Sequence, residues 1–372
     1  MDARARLAGK ALVGFTEGLI HMLPALLLSL SLLGCTLPRS TPPIVKIGMI
    51  APFEGLYRPD GYAALYAVKL ALRERNAAGG VAGYGVMLVA LNDDGDPKEA
   101  ALQARKLAVD PDVVGVIGPL SRSTAAAAAP ALAEAGLAWI APVSVPDEVV
   151  REYANAFRLF ASDQTLAEAV VRWAMTTPGG NGRVRVVEDG PFAAPLRAAA
   201  ERLGVLELAP QDEPTPTRVA LALGGDPEQV AEILPSLDRT VYQGPIIGGP
   251  EAAHMVVLQR AGPAAMGLVW VTSLRVVVWP DAFVHGYREL ASGPPGPEAA
   301  LAYDAANVLL DAIAWDIRQN GSPTRAGVMA AVNATHWDGL NGSFAFDVDG
   351  SWIRAPVYLY QVIGGERFGP VP

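Results

Sequence analysis

Thiol and imidazole are scarce in this chain: its 372 residues include one cysteine and four histidines. A disulfide framework is therefore excluded, and no CxxC pair or HExxH run exists to build a zinc site. A Walker A phosphate loop and a GxSxG nucleophile turn are missing as well. Positive charge is in deficit, with 29 Lys and Arg against 38 Asp and Glu. A net charge of -9 offers no broad attraction to phosphate backbones, which argues against a nucleic-acid partner. What is present is an apolar chain, 51% hydrophobic and 18% charged, too apolar for disorder and long enough for two lobes. A ligand must then be met by backbone, hydroxyl, carboxylate and aromatic groups, with no cofactor expected.

A long apolar stretch stands near the start. Arg4, Arg6 and Lys10 precede it, its densest part runs from Met22 to Leu33, and it ends in Leu32, Leu33, Gly34 and Cys35. Basic residues ahead of a short apolar core that closes on small residues mark a secretory leader, here residues 1–34. The Leu-Leu-Gly-Cys junction resembles the bacterial lipobox, which implies lipidation of Cys35, cleavage before it and a proline-rich tether over 35–43. Several acyl chains would hold such a protein on a membrane surface. An uncleaved membrane anchor and a buried thiol are the alternatives; Glu17, His21 and Pro24 interrupt the segment and weigh against them.

From Ile44 onward, short apolar runs alternate with helical patterns. Strands are expected at Ile44–Ala51, Gly85–Leu91, Val113–Gly118 and Leu137–Pro142, with helices at Gly61–Asn76, Pro97–Val109 and Ser123–Ala135 between them. Runs this uniformly apolar suit parallel strands covered on both faces. Asp96, Pro97 and Glu99 supply a helix cap, an N1 proline and an acidic first turn. The cluster Asn92, Asp93, Asp94, Asp96 lacks the glycine and glutamate spacing of a calcium loop, so it reads as a capped strand-to-helix turn. A second series follows, with strands at Arg183–Asp189, Val219–Gly225, Pro245–Gly249 and Gly267–Ser273. Its helices are Phe192–Leu203, Pro227–Leu237 and Glu251–Arg260. Helices at Asp281–Leu290, Glu298–Gln319 and Arg325–Val332 come next, then strands at Ser343–Phe346 and Val357–Val362. The pattern predicts an α/β fold built from doubly wound, Rossmann-like lobes.

In this order the words KIGMIAP, ERNAAGGVAGYGV, NDDGDPKEA, VVGVIGPLSRST, PIIGGPE, ALAYDAANVLLDAI and FDVDGSWIRAPVYLYQV appear. Together they resemble the type I periplasmic binding proteins of the branched-chain amino-acid receptor family, the substrate-binding parts of ABC importers. The resemblance implies two lobes joined by three hinge crossovers, near Phe157–Ser162, Thr272–Leu274 and Ser343–Phe346. Lobe one would hold residues 44–157 plus 274–343, and lobe two 158–273 plus 344–372. It further implies an amino-acid ligand in the cleft, and permease and ATPase subunits as partners. A sensing receptor without a transport role and a non-catalytic surface lipoprotein are the other readings.

The same resemblance nominates site residues. Ser121 matches the family's ligand-binding serine and stands with Ser123 and Thr124 at a helix start, where hydroxyls and first-turn amides suit a carboxylate; a plain helix cap is the alternative. Ser144 matches the next contact if its loop is one residue short; otherwise it is a turn serine. Glu251 matches the carboxylate that meets the ligand ammonium, although a glutamate after proline also suits a first helical turn. Phe192 stands where relatives carry a tyrosine, losing the hydroxyl. Asp60 falls at the family's aromatic contact, with Tyr57 and Arg58 close by. The segment from Leu208 to Val219, rich in proline, has no room for the crossover helix expected there. No mature histidine, whether His254, His285 or His336, sits in a nucleophile-base arrangement, so an enzyme is not expected; His254 reads as a helix bystander near Glu251.

Overall fold

The structure is a computed structural model that describes residues 42–187, 189–206, 218–365 and 367–371. The leader, Cys35 and the proline-rich segment after Leu208 fall on positions outside these. Lobe one begins with β1 (Ile44–Ala51), α1 (Arg58–Ala77), β2 (Gly85–Asn92), α2 (Pro97–Ala108), β3 (Val113–Ile117) and α3 (Arg122–Glu134). It continues through β4 (Ala138–Ala141), α4 (Asp147–Glu152) and β5 (Ala156–Arg158). These five strands form one parallel sheet in the order β2-β1-β3-β4-β5. Its strands are shielded from solvent because helices cover both faces: Leu107, Ala125 and Leu132 of α2 and α3 pack on one, Leu70 and Val68 of α1 on the other. Each such leucine, once fully buried, contributes about 1.5–3 kcal/mol.

Lobe two runs through α5 (Asp163–Thr176), β6 (Val184–Val187), α6 (Ala193–Arg202), β7 (Ala220–Leu223), α7 (Pro227–Ser236) and β8 (Ile246–Gly248). A 3₁₀ turn (Pro250–Ala253), α8 (Met255–Ala261) and β9 (Val269–Thr272) follow. The chain then returns to lobe one as α9 (Asp281–Arg288), α10 (Pro297–Asn320), α11 (Arg325–Asn333) and the hairpin β10 (Trp337–Gly339) and β11 (Gly342–Phe344). It ends in lobe two with β12 (Tyr358–Gly364) and β13 (Arg367–Pro370). The second sheet has the order β13-β12-β9-β8-β7-β6, parallel except where β12 meets β9 and β13.

The chain passes between the two sheets through residues 159–162, 273–280 and 352–357. The third passage comes after Ser351, which still bridges Arg158 at the edge of the first sheet, later than the 343–346 expected from sequence. One apolar cluster continues from lobe to lobe through Phe157, Leu159, Phe160 and Ala161, and the Ala161 amide donates to the Ser273 hydroxyl at 2.9 Å. Passages tied in this way can bend together while each sheet stays intact.

Several local readings are revised. The helix expected at Glu251–Arg260 is interrupted: His254 has extended backbone angles (φ -70, ψ 139), and its Nδ1 accepts the Val256 amide as the cap of α8. Helices α4 and α5 were not anticipated; α5 is capped by Ser162, whose hydroxyl accepts the Thr165 amide. Asp96 caps α2 as expected, accepting from the Lys98 and Glu99 amides.

Candidate functional site

Most loops that reach the cleft leave the carboxyl end of a parallel strand, the edge where open α/β sheets place their ligands; the start of α10, with Pro297 and Glu298, also reaches it. From lobe one these loops follow β1, β2, β3, β4 and β5; from lobe two they follow β6, β7, β8 and β9. Because β1 and β2 pair in register from Ile44 with Gly85 to Ala51 with Asn92, the turns after both end at one level.

Two adjoining spaces lie between the lobes. One, of about 300 Å³, is lined by Asp60, Ser121, Ser144, Glu251, His254 and Glu298 among apolar neighbours. The other, of about 580 Å³, is lined by Tyr57, Ser123, Thr124, Asp226 and Glu228, and shares Asp60, Ser121, Glu251 and His254 with the first. Ser121 caps α3 and also lines both spaces, so capping does not withdraw it from the cleft. Its hydroxyl accepts the Thr124 amide at 3.2 Å, while Thr124 Oγ1 accepts the Ser121 amide at 3.2 Å. Ser123 Oγ stands 3.3 Å from Ser121 Oγ.

The lobes are clasped by polar contacts that the sequence did not announce. Arg122, at the first position of α3, has its side chain only 3% exposed. Its guanidinium donates to both carboxylate oxygens of Asp163 in lobe two, at 2.6 and 2.9 Å, and to the Pro191 carbonyl at 3.2 Å. It also donates to the Ser144 hydroxyl at 2.7 Å, so that serine is engaged within lobe one. Asp163 is tied back to the Asp147 amide, and Asp147 pairs with the buried Arg158 at 2.6 Å. Elsewhere the Tyr57 hydroxyl donates to Glu228, and Asp60 pairs with His254, each contact joining lobe one to lobe two. The Tyr57 and His254 rings meet edge to face at 4.9 Å between centroids.

Phe192 is placed differently from the reading that set it over a ligand. Its ring is wholly buried inside lobe two, beneath the Arg122 guanidinium at 5.5 Å, and the cleft wall there is Pro191. Gly249 makes room for it: a Cβ at that position would sit 2.4 Å from the ring. Tyr57, Asp60, Ser121, Ser123, Thr124, Ser144 and Glu251 all line the cleft.

Glu251 and Glu298 have no basic side chain within ion-pair distance among the described residues. Burial pushes the Glu251 carboxyl above its ordinary pKa, against the opposing pull of Arg122 and His254. Burial raises Glu298 in the same way. Glu251 is half-buried and Glu298 is exposed, and both line the smaller space. Burial draws His254 down, but the hydrogen bond and charge of Asp60, joined by Glu251 and Glu298, outweigh it and leave the imidazole above its ordinary value. Glu298 went unremarked in the sequence because Pro-Glu is what any helix start prefers. Arg122 was hidden inside SRST, where only the hydroxyl residues carried a signal.

Among the described residues no three acidic, histidine or cysteine side chains are grouped to hold a metal ion, and no helix is long and apolar enough to cross a membrane. The arrangement can enclose a small molecule and offer it hydroxyls from one lobe and a carboxylate from each.

The chain resembles known proteins over most of its length. The periplasmic binding protein family pattern matches residues 44–204. The Leu/Ile/Val-binding protein BraC3 of Rhizobium johnstonii is 30% identical over 287 residues, covering 71% of this chain and 77% of that protein. The leucine-binding protein LivK of Thermotoga maritima superposes with a TM-score of 0.74 at 22% identity, covering 88% of this chain and 98% of the other. The isoleucine complex of the branched-chain amino acid transporter substrate-binding protein LivJ from Streptococcus pneumoniae gives 0.73 at 20% identity, covering 87% and 97%. Two sheets joined by three passages, a ligand-sized cleft at their carboxyl edges and this kinship place the chain in one group: it belongs to the Leu/Ile/Val-binding family of type I periplasmic binding proteins, non-catalytic substrate-binding proteins of the branched-chain amino-acid ABC transporter type.

Proposed function

We propose that the protein is the extracytoplasmic solute receptor of an ABC importer, held to a membrane by lipid on Cys35, and that it captures an amino acid or related small carboxylate between its lobes. The observation that carries this reading is that Ser121 of lobe one and Glu251 of lobe two line the same cavity of about 300 Å³. The ligand carboxylate would lie at the start of α3, near Ser121, Ser123 and Thr124, where the helix dipole favours negative charge. Its ammonium would meet Glu251, whose open carboxylate gives a charge-assisted bond. Leu120, Val143 and Phe160 offer the apolar body a wall. Ser144 serves by holding Arg122 rather than by reaching the ligand.

Ligand contacts made with both lobes favour the closed form over the open one. Permease and ATPase subunits would then read closure at the exposed faces of the two lobes. A thermal-shift screen over amino acids, amides and short organic acids tests the proposal, since a ligand that binds only the folded protein raises the midpoint with concentration. Glu251→Ala should weaken an amino acid far more than its deaminated analogue. Equal losses for both would remove Glu251 from the ammonium site, and no shift with any compound would end the receptor reading.

A further inference from the structure

The smaller cavity carries more negative charge than a simple zwitterion can balance. Asp60 and His254 form a pair that carries one negative charge in the tautomer whose Nδ1 caps α8, and none once the imidazole is protonated at the expense of that cap. Glu251 and Glu298 are left over, each lining the same space without a basic partner among the described residues. They come from opposite lobes: Glu251 from the turn after β8, Glu298 from the first turn of α10. Arg122, the nearest permanent cation, is consumed by Asp163, Ser144 and the Pro191 carbonyl. Closing the cleft on a neutral or singly cationic molecule therefore leaves at least one of the two carboxylates that line this space without a counter-charge.

We propose that the cognate ligand carries two cationic nitrogens, one held by Glu251 and the other by Glu298, with an apolar linker against Leu120, Val143 and Phe160. This inference rests on the receptor reading above and narrows its substrate class. A metal ion would satisfy the same charge, but among the described residues no set of ligands converges on one point. Two carboxylates carried by different lobes call for a ligand with a cationic group toward each. A basic amino acid and a diamine share that chemistry and differ in the carboxylate, which only the amino acid would place near Ser121. Bridging the lobes charge to charge also explains how such a ligand would favour closure, because the nitrogen left free by the first carboxylate is neutralised only when the other lobe arrives.

The test is calorimetric titration of the full chain with leucine, lysine and 1,4-diaminobutane, repeated on Glu298→Gln. Lysine or the diamine should bind at least about tenfold tighter than leucine, as close charge pairs in enclosed sites do. Glu298→Gln should remove most of that advantage and leave leucine within about twofold, because leucine never engages the second carboxylate. Lysine ahead of the diamine identifies an amino-acid ligand; the reverse order identifies an amine. Leucine binding as tightly as either dication, or Glu298→Gln weakening all three alike, overturns this inference and leaves the receptor reading intact. Failure of all three to bind, together with the silent thermal screen described above, overturns both.

Discussion

Replacing Arg122 with methionine keeps the apolar stem of the side chain and deletes the charge that joins the lobes. In the closed form Asp163 would then stay buried, its side chain 3% exposed, with only the Asp147 amide and the start of α5 to hold it. Breaking a buried ion pair by removing one partner costs about 3–5 kcal/mol. The remaining amide bond and the helix dipole argue for the lower end, about 3 kcal/mol, or roughly a hundredfold in an equilibrium constant. Because Arg122 and Asp163 belong to different lobes, opening the cleft hydrates the orphaned carboxylate. The cost therefore falls on closure more than on folding. Small-angle scattering of the ligand-free protein should show a larger radius of gyration for Arg122→Met. Affinity for the best ligand should drop by up to about a hundredfold, since ligand binds the closed fraction. The double variant with Asp163→Asn should recover part of the loss, because the amide still accepts the Asp147 N–H without a buried charge. Arg122→Met that is as compact and binds as tightly as the parent would refute the reasoning.

Two further outcomes are expected. Gly249→Ala drives a methyl toward the Phe192 ring, which is closed in by Arg122 above and lobe-two core around it, so calorimetry should show a loss of about 1–3 kcal/mol; an unchanged melting temperature would mean that the ring can move aside. The second concerns pH. His254 faces Asp60, Glu251, Glu298 and the Tyr57 ring, and its pKa is raised, so the charged cross-lobe pair with Asp60 is complete below the ordinary imidazole value of 6.5 and weakens, as pH rises through the higher folded value, to a neutral Nε2–H hydrogen bond with Nδ1 capping α8. Scattering should therefore show the ligand-free protein opening as pH climbs above 6.5, with a shallower change in His254→Gln; the same slope in that variant would exclude the histidine.

The parts of this protein that a sequence displays are those made by neighbours along the chain. Asp96 with Pro97 and Glu99, Ser121 with Thr124, and Asp226 with Pro227 each carry their own helix cap within a few residues; Asp96 caps as read, Ser121 caps a helix that starts one residue before the expected Ser123, and Asp226 was not singled out. The apolar runs of β1 and β3 declare themselves because both faces are covered. Contacts between lobes have no such signature. Arg122 is buried only because Asp163 and Pro191, far along the chain, close over it. His254 looked like a bystander because its partner, Asp60, lies 194 residues away on the other lobe. Phe192 was assigned to the ligand by position in a loop, whereas Gly249, an unremarkable residue in a glycine-rich turn, supplies the pocket that draws the ring inside. Asp304 is similar: it sits mid-helix in YDAA, and only the fold reveals that it accepts the Leu340 and Asn341 amides of the β10–β11 turn.

The central claim is that the ligand lies between the lobes with its ammonium on Glu251. A crystal structure of the protein grown with its tightest-binding amino acid tests that claim most directly. The account predicts ligand density between Ser121 and Glu251, with a ligand nitrogen about 2.7–3.2 Å from the Glu251 carboxylate. Density lodged instead in the separate hollow behind the hinge, beside Asp347 and Trp352, with the space at Glu251 filled by water, would contradict it.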